Sequence, residues 1–167
     1  QDLAYVIKRP SLLSGDKACS FKVWQHALST LIKDININFL NYSSILLEPT
    51  SPNRKIEDLQ RANNLHRKYN CNVLTLSKLK KSFSPEKIMR VGANSNTTFY
   101  KKDGINFLRR QKIKDYYFRN GICYISKVSN ILKKDPKISF YKNCKSIIIQ
   151  RNIINIDETE DLEYLHK

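Results

Sequence analysis

Three short stretches concentrate side chains able to hold an anionic ligand or a metal ion. Lys8-Arg9-Pro10 places two cations at the end of an apolar run. Glu48-Pro49-Thr50-Ser51-Pro52-Asn53-Arg54 sets a carboxylate, two hydroxyls and a guanidinium among two prolines. Asn155-Ile156-Asp157 offers an amide oxygen and a carboxylate two residues apart. Guanidinium and hydroxyl groups suit a phosphorylated or carboxylated substrate, and the carboxylate suits a divalent cation. Each stretch also has a purely structural reading. Two prolines around Thr50-Ser51 make a rigid turn, and Asp157 or Thr159 can cap a helix. His26 and His66 lie on helical patterns with no nearby Ser or Cys nucleophile, and read as packing or surface residues. Neither G-x-x-x-x-G-K-[ST] nor G-x-G-x-x-G occurs.

These stretches can meet only if they follow strands of one sheet. Leu3–Ile7 reads as the end of a strand broken by Pro10. Ser14-Gly15-Asp16 reads as a turn and helix start. Phe21, Trp24, Leu28 and Leu31 recur at helical spacing, so a helix is predicted over about Lys17–Ile32. Ser44–Leu47 reads as a strand covered on both faces, Lys55–Tyr69 as a helix and Asn72–Ser77 as a strand. This β-α-β-α-β order argues for a mostly parallel sheet, which binds ligands at the carboxyl ends of its strands. The stretch from about Leu79 to Lys114 breaks the alternation and reads as a lid or dimerisation arm inserted in a single domain. Beyond it, strands are expected at Asn120–Ile125 and Ser146–Ile149 and ending at Asn155-Ile156-Asp157. Helices are expected at Lys127–Lys133 and Glu158–Leu165.

The 167 residues, 41% of them hydrophobic, suffice for one core, and Gly 4 with Pro 5 excludes a low-complexity chain. The net charge of +15 suggests a nucleic-acid binder. However, Lys, Asn and Ile are enriched throughout, and Lys outnumbers Arg 21 to 9. The charge is therefore read as coding bias on a solvated surface, with no nucleic-acid partner. No apolar run is long enough to span a membrane. Cys19, Cys71, Cys123 and Cys144 have no zinc spacing and read as reduced small hydrophobes, hence an expected cytoplasmic location.

In order and wording, the stretches resemble the acylneuraminate cytidylyltransferases, or CMP-sialic acid synthetases. Tyr5-Val6-Ile7-Lys8-Arg9-Pro10 with Leu13, Asp16 and Ser20 is similar to that family's "v-x-R-P-x-x-L-a-x-D-x-a-s" stretch. Leu46-Leu47-Glu48-Pro49-Thr50-Ser51-Pro52-Asn53-Arg54 resembles "L-L-Q-P-T-S-P-L-R". Arg110-Gln111, followed by Asn120-Gly121-Ile122-Cys123-Tyr124-Ile125, resembles "P-R-Q…N-G-A-I-Y-I". Ile154–Leu162 resembles "I-D-I-D-T-x-x-D-L". The resemblance implies a Rossmann-like three-layer α/β/α nucleotidyltransferase fold and a homodimer formed through the arm. It also implies a reaction: CMP passes from CTP to an acidic sugar, and pyrophosphate leaves. By position, Asp157 and Arg110 would be catalytic. Asp157 and Asn155 would hold Mg²⁺, and Glu48, Thr50, Ser51, Arg54, Gln111 and Asn120 would bind substrate.

Several positions depart from the family. Glu48 replaces the Gln of the signature, Asn155 replaces the first Asp of "D-I-D", and Phe118 stands where many members keep an Arg. The family's "A-R-x-x-S-K-G" loop and strand-helix-strand, which would precede Tyr5, are not in these 167 residues. The resemblance therefore implies an incomplete, inactive portion of the enzyme. Two alternatives stand beside it: a non-catalytic remnant or binding subunit of the same fold, and a basic nucleic-acid-binding protein.

Overall fold

A computed structural model describes residues 5–15, 17–36, 38–107 and 109–166. Four strands form the main sheet: β1 (Ser43–Leu46), β2 (Asn72–Lys78), β5 (Tyr117–Lys127) and β6 (Cys144–Ile149), in the order β1-β5-β2-β6. A separate two-stranded sheet pairs β3 (Met89–Val91) with β4 (Thr97–Phe99). The helices are α1 (Ser20–Ile35), α2 (Ile56–Tyr69), α3 (Val128–Ile131) and α4 (Pro136–Lys142).

The expectation of a mostly parallel, Rossmann-like sheet is corrected. β5 runs antiparallel to both β1 and β2, and only β2 and β6 form a parallel pair. The reason lies in the arm. It leaves after β2 and returns to the same end of the sheet, where the Leu79 amide donates to the Tyr116 carbonyl at 2.8 Å. The returning strand must therefore enter beside β2 in the opposite direction. β1, β2 and β6 still point the same way, so the segments that follow them emerge at one end.

Alternation along the strands builds a core on each face. Val73, Cys123, Ile125, Ile147 and Ile149 pack with Ala62 of α2. Leu74 and Tyr124 pack with Phe21 and Trp24 of α1, Ile131 of α3 and Phe140 of α4. Phe140 is fully buried among Phe21, Trp24, Tyr124 and Tyr141, and burial of one such side chain contributes about 2–3 kcal/mol. α1 and α2 each stop at an asparagine in the left-handed region, Asn36 (φ 54) and Asn70 (φ 47), the conformation that ends many helices. α2 begins where the Lys55 amide donates to the Asp58 carboxylate at 3.0 Å. That carboxylate also accepts from both terminal nitrogens of Arg151, tying α2 to the segment after β6.

Four further expectations are corrected. Residues 5–10 are irregular rather than the end of a strand, and Leu3 and Ala4 lie outside the described residues, as does Asp16. The helix expected over Lys127–Lys133 is one turn, α3. It is followed by α4, which the Asp135-Pro136 pair starts: Asp135 accepts from the Ile138 amide at 2.9 Å and Pro136 occupies the first turn. No strand ends at Asp157; residues 152–156 are an extended connection outside the sheet. Its strand-like pattern is satisfied instead by two bonds to the turn after β1, from the Ile156 amide to the Thr50 carbonyl (2.8 Å) and from Asn53 Nδ2 to the Asn152 carbonyl (3.1 Å). The helix expected at Glu158–Leu165 is a 3-10 segment, Thr159–His166. Asp161 bonds back to the amides of Asp157 and Glu158 there, which tightens the turn.

Residues 79–114 form the arm. Its centre is Glu86, 2% exposed, which accepts from Lys101 Nζ at 2.9 Å and from the Tyr116 hydroxyl. Gly104 lies against this centre: a Cβ there would stand 2.7 Å from the Glu86 carbonyl oxygen and 2.6 Å from the Phe99 ring.

Candidate functional site

The cleft at the carboxyl end of β1 is built around a distortion of β5. Between the pairs Leu74–Tyr124 and Leu76–Arg119, β2 advances two residues and β5 advances five. The extra residues form a bulge around Gly121, whose φ of +69° is open mainly to glycine. A Cβ at Gly121 would lie 2.5 Å from Ser51 Oγ and 2.8 Å from Glu48 Oε2. The bulge therefore lets the turn after β1 close onto the strand. Reading Asn120-Gly121 as a strand start located the irregularity, but the strand runs through it from Tyr117.

Asn120 holds the bulge from inside. Fully buried, its Oδ1 accepts from the Thr75 hydroxyl at 2.6 Å and its Nδ2 donates to Ser77 Oγ at 3.0 Å. Its side chain is thus engaged within the sheet, and its backbone carbonyl places Ser51. Ser51, also fully buried, has Oγ 2.9 Å from the Asn120 carbonyl and 2.8 Å from the Asn155 side-chain amide. One hydroxyl proton can serve one of these acceptors.

The cleft encloses about 530 Å³ and is walled by Ser20, Glu48, Arg119, Gly121, Tyr124 and Asn155, with Tyr117 and Phe118 at its rim. Burial pushes the half-buried Glu48 carboxyl above the usual range, and the nearby Asp157 adds to this. The Ser20 hydroxyl, Arg119 and Arg54 pull the other way without cancelling it. On the facing wall, Arg119 Nη1 donates to the Tyr141 hydroxyl at 2.9 Å. Burial and the Glu48 charge push the Tyr124 phenol up to about 12, so it stays a neutral donor.

The sequence-derived site residues divide into three groups. Glu48, Ser51, Asn120 and Asn155 converge at the bulge, and Asp157 is close enough to act on the Glu48 charge. Thr50 and Arg54 act through the backbone. The Thr50 carbonyl receives the Ile156 amide, and Arg54 donates to the carbonyls of Glu48 (2.6 Å) and Ile122 (3.1 Å), clamping the turn onto β5. Gln111 sits exposed in a turn of the arm, residues 110–112; the Arg110 side chain lies outside what is described. Lys8 and Arg9 are exposed on the irregular segment 5–10 and follow no strand. Arg119 was not expected in the cleft. Its signal was available one position beyond Phe118, since a bulge shifts which neighbouring residue faces a site.

For Mg²⁺, the donor chemistry fits. Asp157 and the Asn155 amide oxygen are hard oxygen ligands, and Mg²⁺ commonly takes one or two carboxylates together with phosphate oxygens. Among the described residues, no three His, Cys, Asp or Glu side chains converge to form a complete protein cage. None of the described helices is long and apolar enough to cross a membrane. No family model matches the chain, and no curated protein matches it.

Proposed function

We propose that the cleft is the acidic-sugar half of a cytidylyltransferase-type site, in a chain that works as a homodimer through its arm. The observation that supports this most is the convergence of Glu48, Ser51 and Asn155 on Gly121. These residues come from three separate stretches, each of which resembles part of the same enzyme family. In the reaction, the anomeric hydroxyl of the sugar attacks the α-phosphorus of CTP. The bond to the bridging oxygen breaks and pyrophosphate leaves. Arg119 is suited to the sugar carboxylate as a planar double donor. Ser51 and Asn155 offer a preformed hydrogen-bonding wall, and Glu48 faces a hydroxyl or amine of the sugar. Asp157 and Asn155 are the residues that would hold Mg²⁺, which would offset charge on the phosphates.

Titration with N-acetylneuraminic acid, followed by calorimetry and ligand-observed NMR, tests the reading. Saturable binding at millimolar concentrations is expected, weakened about tenfold by Arg119→Gln, which removes one charge-assisted contact. Absence of binding, or binding unaffected by that change, removes the proposal.

A further inference from the structure

Within that reading, the charges of the cleft single out a narrower class of ligand. Glu48 and Arg119 wall the same space with opposite charges, yet no ion pair within 4.0 Å joins them, and no described cation pairs with Glu48. Arg54, the other guanidinium near Glu48, is engaged by two backbone carbonyls, one of them that of Glu48 itself. Asp157 adds a second negative charge on the Glu48 side. Gly121 lets the Glu48 side chain settle against β5, where a Cβ would stand 2.8 Å from Glu48 Oε2 and 2.5 Å from Ser51 Oγ. A polyol whose only charge is a carboxylate would satisfy Arg119 and leave Glu48 with the Ser20 hydroxyl but no cationic partner, an unfavourable state for a half-buried charge. A ligand carrying both charges would satisfy both walls.

We propose that the cleft selects a zwitterionic sugar acid, one with a carboxylate for Arg119 and a free ammonium group for Glu48. The inference rests on the sugar-binding reading above and narrows it from acidic sugars to amino-bearing acidic sugars. Glu48 thereby becomes the specificity-determining residue. The glutamine found at this position in the resembling signature would accept an acetamido or hydroxyl group without preferring a cation.

The test uses two probes that differ only at nitrogen: the methyl β-glycosides of neuraminic acid and of N-acetylneuraminic acid. Both are titrated into the full 167-residue chain near neutral pH with divalent cations chelated, so that no metal competes for Glu48. The free amine is expected to bind about tenfold more tightly. Glu48→Gln should abolish that preference by weakening the free-amine probe about tenfold. Arg119→Gln should weaken both probes alike. Equal binding of the two by the unaltered chain, or tighter binding of the acetylated one, overturns the zwitterion inference and leaves the sugar-binding reading intact. If neither glycoside nor N-acetylneuraminic acid binds, both fall. Circular dichroism of Glu48→Gln, with unchanged spectra expected, separates lost preference from lost fold.

Discussion

Two carboxylates in this chain occupy opposite environments. Glu86, in the arm, is almost fully buried and is held by Lys101 and Tyr116. Burial alone would raise its pKa, but the Tyr116 and Lys101 contacts outweigh that and bring it from 4.5 down to about 2. Glu48, in the cleft, is half-buried and without an ion-pair partner among the described residues, and its pKa moves up. The first carboxylate holds a local structure together. The second imposes a cost on the folded state, the feature on which the ligand proposed above would act. The glycines beside them are alike: both are closed in by neighbouring atoms, Gly104 by the Glu86 carbonyl and the Phe99 ring, Gly121 by Ser51 and Glu48 themselves.

The largest effect is expected where the turn carrying Glu48 closes on the strand. Gly121→Ala forces an L-residue to φ +69° and drives its Cβ into Ser51 and Glu48. It is expected to lower unfolding free energy by about 3 kcal/mol. Gly15→Ala, where no atom lies within 4 Å, should stay within about 0.5 kcal/mol of the parent. Urea denaturation of the two variants checks this, and similar midpoints for both would show that the bulge is not constrained as described.

The next effect is a difference in sign with pH. A carboxyl held below its ordinary pKa stabilises the fold above the ordinary value and loses that contribution as pH falls through the folded one. Glu86 should therefore help at neutral pH and cease to do so between about 4.5 and 2. Glu86→Gln is expected to destabilise at pH 7 and to flatten the acid limb. A carboxyl held above its ordinary pKa does the reverse: its contribution is present below the ordinary value and lost as pH rises through the folded one. Glu48→Gln should accordingly be slightly more stable than the parent at pH 7, with the gain gone at about pH 3. Denaturation midpoints of the two variants across that range should diverge in opposite directions. Parallel shifts would dissolve the distinction between a structural and a ligand-facing carboxylate.

The smallest effect on stability concerns the arm's outer surface. Val91 is 73% exposed and the half-exposed Met89 stands two residues away on the same side of the β3–β4 pair, an apolar surface that a second copy could cover. Val91→Asp should convert a dimer to a monomer in sedimentation velocity and change monomer stability by less than about 0.5 kcal/mol. A parent chain that sediments as a monomer at tens of micromolar would remove the dimer from the proposal.

Local patterns were enough to place α1, α2, β1, β2 and β6 within a few residues. Periodicity, Pro and Asn are read by the backbone over one or two turns, with no knowledge of distant partners. The turn from Glu48 to Arg54 was legible for the same reason, as was the break in pattern at the arm. Strand direction was not. A strand covered on both faces has the same apolar pattern whichever way it runs, so Asn120–Ile125 could not reveal that it is antiparallel to its neighbours. Only the path of the arm, which returns residues 79 and 116 to one end of the sheet, decided it. The cleft depended on the same long-range closure. The separate roles of Ser51, Asn120 and Asn155 follow from hydrogen bonds spanning 69 and 104 residues. The placement of Arg119 follows from the bulge between the Leu74–Tyr124 and Leu76–Arg119 pairs of β2 and β5, a feature of strand pairing that no local pattern carries.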